Sequence, residues 1–186
     1  MTHDAAAHEE FQLFFEEHHR ELSRLAYLLS GDADVADDLA ADALVIAWSR
    51  WDRVQASPNP LAYVRGIVAN LASNRLRRLI RERRRLTTLV LEDRIDGPDV
   101  SAVVDIQAAL QRLPARKRAC VVLRYGFDMS EEETAQALGI SVGTVKSQTS
   151  RGVAELARML GPHREEGPVA VLPRFSRLPR LPRLSR

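Results

Sequence analysis

Cysteine is almost missing: the 186-residue chain has one, Cys120. A lone cysteine excludes an internal disulfide and any multi-cysteine metal site. Its place in the run Ala119–Leu123 reads as a small buried hydrophobe, not a nucleophile. Aromatics are sparse at 5%, and nine Gly and nine Pro beside 45% apolar residues exclude a collagen-like or low-complexity chain. Long apolar runs are missing too. The most apolar window, Leu39 to Trp48, contains Asp42 and is shorter than the ~20 residues a membrane span needs. No basic segment followed by an apolar stretch opens the chain, so no signal peptide is expected. These absences predict a soluble, cytoplasmic protein without membrane association. The alternation typical of half-buried strands is found nowhere, so the expected fold is all-α.

What is abundant is charge, sorted into blocks. The formal net charge is only +2, yet residues 1–52 carry −9, 53–85 carry +8, 86–111 carry −4, 112–160 carry +3 and 161–186 carry +4. Such polarisation suits two small units better than one large core, at a length that accommodates either.

Helical spacing begins with Phe11, Phe14, Phe15, Leu22, Leu25, Ala26 and Leu29, and Gly31 ends that helix. Asp32 or Asp34 can cap the next, whose apolar stripe is Val35, Leu39, Ala43, Ile46 and Ala47. Ser57-Pro58-Asn59-Pro60 breaks the chain, with Asn59 as N-cap and Pro60 as first helical residue of a third helix about twenty residues long. Val64, Ile67, Val68 and Leu71 line its inner face. Arg65, Arg75, Arg77, Arg78, Arg81, Arg83, Arg84 and Arg85 supply its charge. Thr87 to Asp99 is acidic, irregular and contains Gly97-Pro98, a linker by composition.

A second helical unit starts near Val103 and is broken at Pro114. Ser130 and Glu133 form a capping box, Gly139 permits a turn, and Ser141 caps a last helix that reaches about Leu160. The tail repeats Arg-Leu-Pro and is too rich in proline to fold alone. The expected boundaries are 1–85, a flexible linker 86–102, a second domain 103–160, and a disordered tail 161–186.

The sharpest functional signal lies between Glu131 and Leu156. Ala135 is small where helices cross, Gly139 makes the turn, and Ile140 and Val145 are apolar where the second helix returns, as a helix-turn-helix requires. Thr144, Lys146, Ser147, Gln148, Ser150 and Arg151 then offer groups that bond phosphates or base edges. The Arg-rich helix suits nucleic acid better than a membrane, because its opposite face reads as ordinary core. The acidic helix cannot face DNA; a basic protein partner and simple solvation both account for it. Asp37, Asp38 and Asp42 have no histidine at ligand spacing beside them. No catalytic residue, metal site or cofactor is therefore expected, and the chain reads as a non-enzyme. His18 and His19, being adjacent, should sit on different faces at the surface.

These three elements, in this order, resemble RNA polymerase sigma factors of the sigma-70 superfamily, in the small two-domain extracytoplasmic-function group. Asp37, Asp38, Leu39, Asp42 and Trp48 in DVADDLAADALVIAW fit the family's core-polymerase-binding helix, with Ala41 and Leu44 replacing the usual Gln and Phe. Asn70, Leu71, Asn74, Arg77 and Arg78 in AYVRGIVANLASNRLRR are on the pattern of its minus-ten helix, with Tyr63 where Trp is common. The loop from Gln55 to Asn59 corresponds to the segment that captures a flipped non-template base. LPARKRACVVLRYGFDMSEEETAQALGISVGTVKSQTSRGVAEL is similar to the minus-thirty-five domain; GTVKS is a specific signature there, and Gln148 stands where Arg is common. The resemblance implies core RNA polymerase and promoter DNA as partners, an anti-sigma factor as a candidate third, and melting that offsets a few kcal/mol of unstacking without catalysis. Two other classes fit the residues less well. One is a stand-alone helix-turn-helix regulator, which would dimerise on a palindrome; the other is a nucleic-acid enzyme.

Overall fold

Gly31 divides the first fifty residues. Its φ of +83° is a left-handed conformation that glycine adopts without strain, and it ends α1 (Thr2–Ser30). In this computed structural model, residues 2–86 and 102–160 are described. Asp32 is the cap of α2 (Ala33–Ser49), its side chain accepting from Val35 N. The inner face of α2 is Ala36, Leu39, Ala40, Ala43, Leu44 and Ala47. Four alanines let α2 lie close against Leu22, Leu25 and Leu29 of α1. The buried stripe is thus turned from the expected one, and Val35 and Ile46 are only half-buried.

α3 (Trp51–Gln55) is a short helix that periodicity does not reveal, five residues being little more than one turn. Trp51 anchors it, its ring edge-on to Phe11 and Phe14 at 5.1 and 5.3 Å. α4 (Pro60–Leu86) begins as expected: Asn59 Oδ1 accepts from Ala62 N at 3.0 Å, and Pro60 is the first helical residue. Its 27 residues exceed the expected twenty. Val64, Val68, Ala69 and Ala72 bury its inner face.

The second unit comprises α5 (Ala102–Arg112), α6 (Ala115–Val121), a π turn (Val122–Gly126), α7 (Glu131–Leu138) and α8 (Val142–Leu160). The break at Pro114 is as expected, whereas the π turn carries no sequence signature. α7 opens with both halves of the capping box: Glu133 N donates to Ser130 Oγ at 3.0 Å and Ser130 N donates to Glu133 Oε2 at 2.7 Å. It closes on Gly139 at φ +62°, with Ile140 N bonded to Ala135 O and Gly139 N to Gln136 O, a Schellman motif. α8 buries Val145, Thr149, Gly152 and Leu156, spaced four, three and four apart, against α6 and α7.

Every described element is helical, and the fold is all-α with a helix-turn-helix in the second unit. The two units are in contact, and their buried apolar residues form one cluster. Gln107, Gln111 and Arg118 of the second unit bond the carbonyl oxygens of Tyr27, Leu28 and Leu29 at the end of α1. The expected linker, apart from its end residues, and the expected tail lie outside the described residues.

Candidate nucleic-acid interface

α8 carries the expected reading face. Ser141 Oγ accepts from Thr144 N at 3.1 Å and lies 2.8 Å from Thr144 Oγ1, so Thr144 is held in the cap. Because Val145, Thr149 and Gly152 point inward, Lys146, Ser150 and Arg151 are exposed and Ser147 and Gln148 half-buried on the other side. Lys146 Nζ lies 3.3 Å from Glu131 Oε2, an ion pair 63% exposed on the lysine side and therefore worth little. Ser147 Oγ donates to Thr144 O at 3.0 Å. Gln148, Ser150 and Arg151 point away from the buried face, which is the arrangement that base-edge readout needs.

α4 presents a second basic face over part of its length. Asn74, Arg77 and Arg78 are exposed, with Arg78 Nε 2.9 Å from Glu82 Oε1. The Glu82 hydrogen bond, then its charge, raises the Arg78 pKa. Arg65 departs from the expectation that it belongs to this face. Its side chain is 13% exposed, and Nε donates to Glu21 Oε1 at 2.8 Å. It sits 5.2 Å from the centre of the Phe127 ring, close enough for a cation–π contact.

Asn59, Tyr63 and Asn70 line a cleft of about 490 Å³ between the α3–α4 loop, α4 and α7. Asn59 Nδ2 donates to Glu133 Oε1 at 2.6 Å, and Asn70 Nδ2 donates to Ala137 O at 3.0 Å. The Glu133 carboxyl is held below its ordinary pKa, chiefly by the Ser130 backbone N–H, with the Asn59 amide and the Arg65 charge contributing against partial burial. Arg50 and Arg53 also line the cleft. Their basic side chains beside Ser57–Asn59 are functional candidates that the sequence reading passes over.

α2 bears a third face. Asp37, Asp38, Asp42 and Trp48 are exposed, while Leu39 is 5% exposed and belongs to the core. Leu39 therefore positions the helix and offers no surface of its own. Asp34, Asp38, Ala41, Val45 and Trp48 follow helical spacing along one outward stripe, whose last members are apolar. Val45 is 68% exposed and Trp48 38%. Val45 was not singled out from the sequence; its signal is an apolar residue flanked by acids on the outer face. Trp48 is backed by Phe11 at 5.0 Å and His8 at 5.7 Å.

The remaining candidates carry no chemistry. Cys120 is fully buried, and burial pushes its thiol up to about 11. His18 and His19 are both half-buried: His18 packs on Phe14 at 4.6 Å and His19 stacks on Phe15 at 5.0 Å. Helical neighbours four residues apart cover them, so the expectation of two surface histidines is only partly met. Among the described residues, no three His, Cys, Asp or Glu side chains approach as metal ligands would, and no helix is long and apolar enough to cross a membrane.

An all-helical chain with an outward polar face on a helix-turn-helix, a separate arginine-rich helix and an acidic stripe is a DNA-reading transcription protein with a protein-docking side. Comparison with known proteins makes the class specific. The family model Sigma-70 region 2 matches residues 14–83, and Sigma-70, region 4 matches residues 104–156. ECF RNA polymerase sigma factor SigM of Mycobacterium tuberculosis (strain H37Rv) is 37% identical over 164 residues, covering 86% of this chain and 82% of that protein. RNA polymerase sigma-E factor of Streptomyces avermitilis is 35% identical over 155 residues, covering 81% of this chain and 85% of that one. The solved sigma factor RpoE of Bartonella quintana, in complex with the anti-sigma factor NepR, superposes with a TM-score of 0.70 at 27% identity, covering 84% of this chain and 99% of that one.

The chain belongs to the sigma-70 family, among its ECF RNA polymerase sigma factors. It is a transcription initiation factor that directs RNA polymerase to promoters.

Proposed function

We propose that three faces of this sigma factor divide its work in the cytoplasm. The outward stripe of α2, with Asp37, Asp38, Asp42, Val45 and Trp48, docks on core RNA polymerase. α4, with Asn59, Tyr63, Asn70, Asn74, Arg77 and Arg78, meets the minus-ten element. α8, with Thr144, Lys146, Ser147, Gln148, Ser150 and Arg151, meets the minus-thirty-five element. The domains follow the same division, 1–85 and 103–160, and the mechanism uses no catalytic residue. Separation of a melted strand draws on binding and stacking alone.

One observation carries the reading. Acids occupy the outer face of α2 and arginines the outer face of α4, so the first unit has one side that repels DNA and one that attracts it. A stand-alone regulator has no use for the repelling side. The test is run-off transcription with core polymerase on templates selected from a randomised promoter pool. The expected result is initiation at one defined start, abolished by the double variant Asp38→Lys, Asp42→Lys while helicity is kept. A protein that instead binds a palindrome by itself, and never makes core enzyme initiate, overturns the proposal.

A further inference from the structure

The seam between the two units runs along the helix proposed to read the minus-ten element. Asn59 is bonded to Glu133 and Asn70 to the carbonyl oxygen of Ala137, so both asparagines spend their amide donors on α7. Tyr63 lies between them in the same cleft, which Gln136 and Ala137 close on the far side. Arg65 extends the seam by donating to the carbonyl oxygen of Phe127 at 3.3 Å. Half of the residues assigned to the minus-ten element are thereby engaged within the molecule. Asn74, Arg77 and Arg78, further along α4, are left exposed.

Gly66 shows how closely the surfaces approach. It sits inside α4, where glycine weakens a helix relative to alanine, and its φ is not one that only glycine adopts. Neither helix formation nor backbone geometry asks for it. The crossing with α7 does: a Cβ at Gly66 would lie 3.0 Å from the Cα, the Cβ and the carbonyl oxygen of Ala137. All three are atoms that cannot swing aside, as the tip of a long side chain could. The other end of the seam is held by Gln107, Gln111 and Arg118, whose donors are bonded to the last carbonyl oxygens of α1.

We infer that the free protein keeps its minus-ten face shut against its own second unit, with Gly66 and Ala137 at the point of closest approach, and that the units must part before a promoter strand can enter. This rests on the assignment of α4 to the minus-ten element. The closure is one-sided. The polar partners of α8 and its flanking cap are Glu131, Ser141 and Lys117, all in the second unit, and Lys146, Ser150 and Arg151 remain exposed. The free protein therefore offers one DNA surface and withholds the other. Any partner that binds the open form better than the closed one releases the withheld surface, and its differential affinity sets how far the population moves. A factor docked on polymerase through α2, with its two DNA helices spread along a promoter, is such a complex.

Two variants of the full chain test this. In Gly66→Cys with Ala137→Cys, the new sulfurs would meet across the seam, the Cβ positions needing to separate by about half an ångström to reach disulfide geometry. Cys120 is fully buried and does not compete. The disulfide is expected to form in the free protein under mild oxidation, and the oxidised protein with core polymerase should give less than about one-tenth of the run-off product of the same protein after reduction. Gly66→Ala should favour the open form. A state populated one part in ten lowers apparent affinity about tenfold, so Gly66→Ala without polymerase should bind a labelled pool of random single-stranded DNA about tenfold more tightly than wild type. Failure of the disulfide to form, or run-off from the oxidised protein equal to that from the reduced one, overturns the closure. So does unchanged single-strand binding by Gly66→Ala. If reduced and wild-type proteins start transcription at no defined site, the sigma assignment of α4 fails instead, whatever the crosslink does.

Discussion

The guanidinium of Arg118 donates to the carbonyl oxygen of Leu29, so a cation of the second unit closes the C-terminal end of the first unit's opening helix. The same group donates to Gln111 O at 2.8 Å and Leu113 O at 3.1 Å, at the end of α5. Two helix C-termini, each the negative end of a helix dipole, thus converge on one charge that is 4% exposed. Burial lowers its pKa to about 10, still well above neutral pH, so the charge persists.

Replacing this fork leaves buried carbonyl oxygens without donors. Arg118→Met should destabilise the protein by roughly 3 kcal/mol, at about 1–3 kcal/mol for each unsatisfied acceptor. That corresponds to a Tm lower by roughly 6–12 °C in a circular dichroism melt. Arg118→Lys should lose nearly as much, because an ammonium cannot span both helix ends. A melt within about 1 °C of wild type would show that water replaces the fork without loss.

Acid should loosen the N-terminus of α7. The Glu133 pKa is lower folded than unfolded, so its contribution is present above the unfolded value near 4.5 and is lost as pH falls through the folded value. Glu133→Gln keeps the reach to Ser130 N and to Asn59 but not the charge. It should cost about 1 kcal/mol at pH 7 and flatten the dependence of stability on pH below 4.5. Urea titrations of both proteins at pH 7 and pH 4 check the sign; parallel losses in the two would refute it.

Specificity and affinity should separate on α8. Gln148→Arg should change the selected minus-thirty-five sequence, a bidentate base contact being worth roughly 1–3 kcal/mol of discrimination. Lys146→Ala should weaken all promoters alike and reduce the salt dependence of binding. The same consensus recovered by wild-type and Gln148→Arg holoenzymes would remove the reading role from Gln148.

Gly152 differs from Gly66 in what stands opposite it. An added Cβ there would lie 2.6 Å from a methyl of Val121, which is fully buried and has no room to turn. Gly152→Ala should therefore destabilise the second unit by about 1–3 kcal/mol through overpacking, despite the ~1 kcal/mol that alanine gains in helix propensity. Thermal melts decide this, a raised Tm being the contrary result.

Local hydrogen-bond signals were legible in the sequence. Asn59 before Pro60, the Ser130–Glu133 box, Gly139 and Ser141 each act within three or four residues, and each is found in its expected role. The exposed polar face of α8 was legible for the same reason, since Val145, Thr149 and Gly152 fix its orientation. Long-range partners were not. Asn59 meets Glu133 from 74 positions away. Arg65 reads as one more arginine of a basic helix until Glu21 and Phe127 appear beside it. Leu39 fits a motif by type, yet which face of α2 turns inward depends on the small alanines that bring it against α1.

The π turn at Val122–Gly126 has a bearing on insertions and deletions. A π turn holds one residue more than the α-helical turn it replaces, and each residue advances a helix by about 100°. Removing one residue there would continue α6 as ordinary helix and rotate everything downstream by about that angle. Phe127 follows the turn directly, and its carbonyl oxygen and ring are what Arg65 reaches across the seam. Chain length between Val121 and Phe127 thus acts as an angular setting. A one-residue deletion would leave the helix-turn-helix intact in sequence while pointing Phe127 away from Arg65.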